Sequence, residues 1–341
     1  MSNDKRLPES VGQASSLTVH GASVPRVSGG RMPPEPADKM SAPLFQTRSQ
    51  APKLLIVDGH AYAYRSFHAI RELSSPSGAP TNAIYGFLKA IGKMQAQLSP
   101  THLVVVWDGG LAAERLAAHP EYKAQRPPMP DSLDQQIDGI MGWLRAAGLA
   151  SLCRDGVEAD DWIGTLALRA APEMPVVIAS ADKDFMQLVT PRIGLLNPND
   201  KTEKIWTAED VVAKTGVKPE QIADWLSLIG DSVDNIPGVP GVGPKTATDL
   251  ITQFGSVDQL YARLPEVKSD RIRASLEGAA AAVRRNQQLI RLQDEPWLAT
   301  LEELLPRNAD EAKLRELYRD WGFKSMLAQL GGGQHVQETL L

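Results

Sequence analysis

Short, unbroken apolar runs appear a little past residue 50 and recur along the first two-thirds of the chain. Leu54-Leu55-Ile56-Val57 reads as a buried strand that ends on Asp58-Gly59. A second run, Leu103 to Trp107, ends on Asp108, and a third, Val176 to Ala179, leads into Asp182 and Asp184. Between them the period lengthens to that of helices. Ala83 to Leu98 is amphipathic, Asp131 to Leu149 is punctuated by Gly148, and Trp162 to Arg169 follows the acidic approach Gly156-Val157-Glu158-Ala159-Asp160-Asp161. Strands alternating with helices predict an α/β fold with a central, mostly parallel sheet flanked by helices. From Ala208 onward the pattern is helical, with glycine loops and no further sheet.

This divides the chain into an extension (1–52), an α/β core (53–205) interrupted by an irregular insert at about 109–130, a helical region (206–330) and a tail (331–341). The extension is rich in Ser, Pro and Gly without apolar periodicity, so disorder is expected, and Met40 is an alternative start. Gly331-Gly332-Gly333 reads as a linker to the tail.

Composition narrows the class. The 341 residues are 43% hydrophobic, enough for a substantial core. A net charge of -5 does not by itself suggest a nucleic-acid binder, although acids gathered at a metal site can mask a basic groove. The single cysteine, Cys153, excludes an internal disulfide, fits a reducing compartment and is expected as a small core residue. No apolar run approaches the roughly 18 residues of a membrane span, and the N-terminus lacks a secretory core. A monomeric cytoplasmic protein without membrane contact is expected.

The strand ends carry the chemistry. Ligands of open α/β sheets sit beyond the carboxyl ends of strands, and each of the clear strands delivers an acid there. Glu158, Asp160 and Asp161 could singly be helix N-terminal charges, Asp182 and Asp184 helix caps, and Asp108 part of a turn. Together with Asp58 they would repel one another in one crevice. Hard divalent ions such as Mg²⁺ or Mn²⁺ resolve that conflict, and no Cys or His cluster favours zinc. A two-ion carboxylate site suits phosphodiester hydrolysis by water, with no protein nucleophile. His60 and His68 lie near the first strand end; His60 is expected to pack or hydrogen-bond beside the loop.

The segment GDSVDNIPGVPGVGPKTA, Gly230 to Ala247, adds Asp231 and Asp234, then glycines that open into a helix at Lys245-Thr246. Such glycines let amides approach a phosphate, and a helix N-terminus favours an anion. Arg115, Lys123 and Arg126, beside Tyr122, follow Asp108 and could lean over the crevice to hold a phosphate.

The landmarks LLIVDGHAYAYRSFHA, VVVWD, EYKAQRP, GVEADDWIGTLA, ASADKDFMQL, LIGDSVDNIPGVPGVGPKTA and WGFKSML occur in this order. They make Lys53 to Leu330 resemble the 5′ nuclease family, most closely the 5′–3′ exonuclease domain of bacterial DNA polymerase I. The resemblance implies a PIN-like or resolvase-like core, a helical arch and a helix-three-turn-helix that binds duplex backbone. It implies a 5′–3′ exonuclease or flap endonuclease in replication and repair, acting on nicked, gapped, 5′-flap or RNA-primed DNA. The metal acids it implies are Asp58, Asp108, Glu158, Asp160, Asp161, Asp182, Asp184, Asp231 and Asp234, and its catalytic residues Lys123 and Arg126 on the scissile phosphate, Arg65 beside the active site and Tyr122 in the arch. DNA contacts would come from Gly230, Gly238, Val239, Gly241, Val242, Gly243, Lys245, Thr246 and Tyr85, with a K⁺ ion at the hairpin carbonyls. Trp107 stands where Phe is usual, and Gly109 to His119 is less similar. No polymerase segment follows, so a free-standing nuclease is expected, with a separate polymerase as a partner. Gln337, Leu340 and Leu341 resemble a sliding-clamp docking peptide. A catalytically silent DNA-binding scaffold is disfavoured by the intact acid set, and an RNA-directed nuclease by the helix-three-turn-helix.

Overall fold

The computed structural model describes residues 53–295 and 299–332. The expectations placed on residues 1–52 and on Gln337, Leu340 and Leu341 lie outside them. The chain runs β1 (Leu54–Asp58), α1 (Gly59–Ala69), α2 (Asn82–Leu98), β2 (His102–Val106), α3 (Ala113–Ala118), α4 (Asp131–Ala146), β3 (Ala150–Leu152), α5 (Ala159–Ala170), β4 (Val176–Ala179), β5 (Ile193–Leu196) and β6 (Ile205–Trp206). The six strands form one sheet in the order β3-β2-β1-β4-β5-β6. All neighbours are parallel except β6, which runs antiparallel to β5 at the edge.

Burial on both faces explains why the strands read as continuous apolar runs. Leu54, Ile56, Val104, Val106, Val176 and Ile178 point into one core, and Leu55, Val57, Leu103, Val105, Val177 and Ala179 into the other. The order also creates a switch point. From β1 the chain first steps to β2 on one side, then later places β4 on the other, so a crevice opens where the strand ends diverge.

The second part comprises α6 (Ala208–Thr215), α7 (Ile222–Ile229), the two-residue strands β7 (Gly230–Asp231) and β8 (Ile236–Pro237), α8 (Pro244–Phe254), α9 (Val257–Ala262), α10 (Asp270–Ile290), α11 (Glu311–Asp320) and α12 (Lys324–Gly332). Residues of α7, α8 and α10 join the core that holds Leu54 and Ile56, whereas α11 and the start of α12 pack on the opposite core with α2 and α4.

Three expectations need correction. Gly331 and Gly332 end α12 rather than starting a linker. The insert at 109–130 holds one six-residue helix, α3, followed by turns, so the arch is short. Cys153 is exposed, because β3 is a half-buried edge strand that delivers it past the core. Burial, then Asp155 and Asp108, push its thiol above the ordinary range. Strands β3, β5 and β6 were absent from the sequence reading. Among the described residues no helix is long and apolar enough to cross a membrane.

Candidate active site and nucleic-acid interface

A crevice of about 400 Å³ opens at the switch point, lined by Asp58, Asp108, Asp160, Asp182, Asp231 and Asp234. These six come from the ends of β1, β2 and β4, the start of α5 and the β7–β8 turn. Two cations, Arg126 and Lys183, line it with them. His60, Tyr64 and Val233 complete the wall, and Val233 is 64% exposed at its mouth.

Each acid is held by local structure. Asp58 Oδ1 accepts the Ala61 amide at 3.0 Å and so caps α1, while Oδ2 accepts the buried Ser180 hydroxyl at 2.8 Å, tying the ends of β1 and β4 together. Ser180 Oγ also accepts the Asp182 amide at 3.1 Å, and Asp182 Oδ1 accepts the Asp184 amide at 2.8 Å. The Asp108 amide donates to His60 Nδ1 at 3.1 Å, which makes that nitrogen an acceptor and His60 a packing and orienting residue, edge-on to Trp107. Asp231 pairs with Lys183 at 3.1 Å, and Asp234 with Arg126 at 2.5 Å.

The carboxyls are strained electrostatically. Burial pushes Asp58 up to about 6, despite the opposing Ala61 and Ser180 hydrogen bonds. Burial, then the neighbouring Asp182, hold Asp160 and Asp184 well above the carboxylate range. Asp182 is raised by burial, with Asp234 and Asp231 adding to it. Asp184 Oδ1 is buried with no hydrogen-bond partner.

An orphaned carboxylate oxygen and acids pushed toward neutrality are the signature of a site that fits a bound cation. Among the described residues, no three Asp, Glu, His or Cys side chains are arranged to hold an ion as they stand. Arg126 and Lys183 instead pair with Asp234 and Asp231, which are themselves buried. Hard ions that keep several waters, such as Mg²⁺, need few direct carboxylates, so the donor set suits that class.

The other sequence-derived site residues lie elsewhere. Glu158 is 1% exposed and meets Lys123, Arg115 and the Tyr122 hydroxyl. Burial alone would raise its carboxyl, but Lys123 and Arg115 outweigh this and hold it below the usual range. Asp161 is fully buried and accepts both Arg115 amino groups, at 2.5 and 2.7 Å. Arg115 therefore does not lean over the crevice. Lys123 packs over the Tyr122 ring, pairs with Glu158 and lies 3.9 Å from Asp160. Its left-handed backbone (φ 56°) is fixed by its amide donating to the Asp234 carbonyl at 3.0 Å. Arg126 alone of the four phosphate-directed residues lines the acid crevice. Arg65 faces a neighbouring cavity of about 880 Å³, and Tyr85 packs edge-on against Phe323.

The glycine segment divides by role. Gly230 has φ 75°, and a Cβ there would lie 2.4 Å from the Gly238 amide nitrogen; one on Gly238 would lie 2.2 Å from the Ile229 carbonyl. These two glycines serve a backbone crossing. Val239 and Val242 are buried core side chains. Gly241, Gly243 and Lys245 are exposed at the start of α8, where Gly243 has open space around it and offers no side-chain cap. The first-turn amides of α8 are thus arranged to receive an anion.

Sequence reasoning missed Lys183 and Ser180. Lys183 had a visible signal, a cation between two acids in ASADKDF. Ser180 had none, because its contact with Asp58 spans 122 positions.

A mostly parallel sheet thus gathers acids at its switch point, with a glycine-rich hairpin following in the chain between α7 and α8. The family model for the 5′-3′ exonuclease N-terminal resolvase-like domain matches residues 53–216, and that for the 5′-3′ exonuclease C-terminal SAM fold matches 217–312. The chain belongs to the 5′-3′ exonuclease family. It is 37% identical over 279 residues to a 5′-3′ exonuclease of Aquifex aeolicus, covering 81% of this chain and 94% of that one. It is 42% identical over 292 residues to DNA polymerase I of Pseudomonas aeruginosa, covering 83% of this chain and 32% of that protein. The chain thus spans about a third of the length of that polymerase. The structure of T5 5′-exonuclease with divalent metal ions (zinc) aligns with a TM-score of 0.58 and 26% identity, covering 70% of this chain and 89% of that one.

Proposed function

We propose that this chain is a divalent-metal-dependent 5′ nuclease that hydrolyses phosphodiester bonds near 5′ ends, nicks or flaps of duplex DNA in the cytoplasm. The observation that carries this is the convergence of six aspartates from five segments on one crevice. The family membership and the metal-bound T5 structure support it.

Asp58, Asp108, Asp160, Asp182, Asp184, Asp231 and Asp234 would hold the ions, Mg²⁺ or Mn²⁺, both of which suit carboxylate oxygens. When bound, such ions lower the pKa of water and stabilise charge on the attacking and leaving oxygens. The chain's own part is positional. Ser180 and the Ala61 amide orient Asp58, His60 orients the Asp108 backbone, and Lys183 and Arg126 pair with Asp231 and Asp234. Arg126, 40% exposed, would turn from Asp234 to a scissile phosphate. The amides of Gly243, Lys245 and Thr246 would grip the duplex backbone without reading bases, Pro244 having no N–H to offer.

Mg²⁺-dependent cleavage of 5′-labelled flap, nicked and RNA-primed duplexes tests this. Asp182→Ala is expected to abolish cleavage while retaining DNA binding; substantial activity in excess Mg²⁺ would refute the site. A K⁺ ion at the hairpin rests on the resemblance alone. So does partnership with a separate polymerase, or with a clamp through Gln337, Leu340 and Leu341. A pull-down comparing the 341-residue chain with one ending at Gly333 tests the clamp contact, and equal retention would remove it.

A further inference from the structure

Arg115 is 3% exposed and sits at the base of the short arch, on α3. Its two terminal nitrogens meet Asp161 as a fork, its Nε donates to the Leu289 carbonyl at 3.0 Å, and a terminal nitrogen reaches the Arg291 carbonyl at 3.4 Å. The terminal nitrogen that meets Asp161 Oδ2 also lies 3.1 Å from Glu158 Oε1. Asp161 also accepts the Gln293 amide at 2.8 Å. One guanidinium thus joins three elements: α3, the start of α5 and the C-terminal end of α10. Among the described residues, this is a buried ionic cluster that supplies nothing to the acid crevice.

The far end of α10 lies at the hairpin. Arg271 and Ile272, in its first turn, are the nearest side chains to the Cα substituent position of Gly241, at 3.6 and 3.8 Å. Near its C-terminal end, one turn before Leu289, the Asn286 amide donates to the carbonyls of Ser227 and Pro237, holding the strand that leads out of the Asp231–Asp234 turn. Twenty-one residues make α10 a rod of about 30 Å. At its other end, the arch base is stitched to the same acid turn: the Lys123 amide donates to the Asp234 carbonyl, Asn235 to the Glu121 carbonyl at 2.8 Å, and His119 Nε2 lies 3.0 Å from the Asn235 carbonyl.

We propose that Arg115 and Asp161 form a positioning bolt that fixes the arch base, with Glu158, Lys123 and Arg126, to α10, so that a duplex held at the hairpin meets the crevice at a set distance. Asp161 acts through Arg115 and not as a metal ligand. This rests on the nuclease reading above. Lysine at position 115 would keep the charge but lose the fork that reaches two carbonyls and a carboxylate together. A displacement of about 1 Å in such a frame costs on the order of 100-fold in rate.

Two variants test the rate, Arg115→Lys and Arg115→Gln combined with Asp161→Asn, which removes both charges of the pair, and a third, Asp161→Asn alone, tests metal binding. Single-turnover cleavage of a 5′-labelled flap duplex is expected to fall about 10- to 100-fold in both, with cut positions spread over neighbouring phosphates. The dissociation constant for uncut duplex in Ca²⁺, and the Mn²⁺ affinity measured by titration, are expected to stay within about threefold, because neither Arg115 nor Asp161 lines the acid crevice. If one variant does not fold by circular dichroism, the other decides. Unchanged rate and cut position in a folded variant would overturn the bolt. So would a tenfold or greater loss of Mn²⁺ affinity in Asp161→Asn alone, which would make Asp161 a ligand. A wild-type chain that cuts no duplex would overturn the nuclease reading itself.

Discussion

Asp58 does two things that conflict when no counter-ion is near: it caps α1 and it faces other carboxylates from a buried position. Its ordinary value of 3.8 rises to about 6 in the fold, so the folded state holds the proton more tightly than the unfolded chain. The stability this contributes is fully present below pH 4 and is lost as pH rises through 6, a difference of about 3 kcal/mol. In chelator at pH 7.5, Asp58→Asn is therefore expected to melt several degrees above wild type, with the gap closing near pH 4. Mg²⁺ should raise the wild-type melting temperature at pH 7.5 and leave the variant little changed. Equal melting temperatures in chelator at pH 7.5 would contradict the strain. At this scale the acids themselves were legible, because Asp58, Asp108 and Asp182 follow apolar runs and carboxylates are costly at such places without a task. What burial and distant pairing do was not legible. The Arg115–Asp161 pair spans 46 positions, and no local spacing separates it from Asp160 next door.

The hairpin between α7 and α8 shows how one glycine pattern can serve two physical needs. Gly238 has the Ile229 carbonyl where a Cβ would go, whereas Gly243 opens onto space. Gly238→Ala is expected to cost about 2 kcal/mol or more through backbone displacement, read as a lowered denaturation midpoint. Gly243→Ala should fold normally and weaken duplex binding. A reversed pattern, with Gly243→Ala destabilised and Gly238→Ala tolerated, would contradict these assignments. Lys245→Ala should weaken binding to all sequences alike and reduce the slope of log affinity against log salt by about 1; an unchanged slope would remove the phosphate contact. The long elements, α2, α4, α5 and the runs of β1, β2 and β4, could be read because period and burial agree. The other strands could not: β3 is a half-buried edge, β6 has two residues, and β5 carries a glycine within four residues. The last turn of α12 escaped because two glycines are poor helix formers, and here they continue a helix already packed through Phe323 and Met326.

At the scale of the whole molecule, strand order does the principal work. Placing β1 between β2 and β4 brings three strand-end acids to one switch point, and the β7–β8 turn adds two more from a region remote in sequence. Alternation of strands and helices predicted a parallel sheet but not its order, so convergence was inferred from topology and the partners of each acid were not. The arrangement of crevice, arch base and hairpin along α10 makes metal-dependent cutting at a fixed distance from a gripped duplex the central claim. Single-turnover cleavage of a 5′-labelled flap duplex, with wild type and Asp182→Ala compared in saturating Mg²⁺ and in chelator, tests it most directly. The expected result is one principal cut near the flap junction by wild type in Mg²⁺, none in chelator, and none by Asp182→Ala despite retained duplex binding. Cleavage that persists in chelator, or in Asp182→Ala at a rate near wild type, would contradict it.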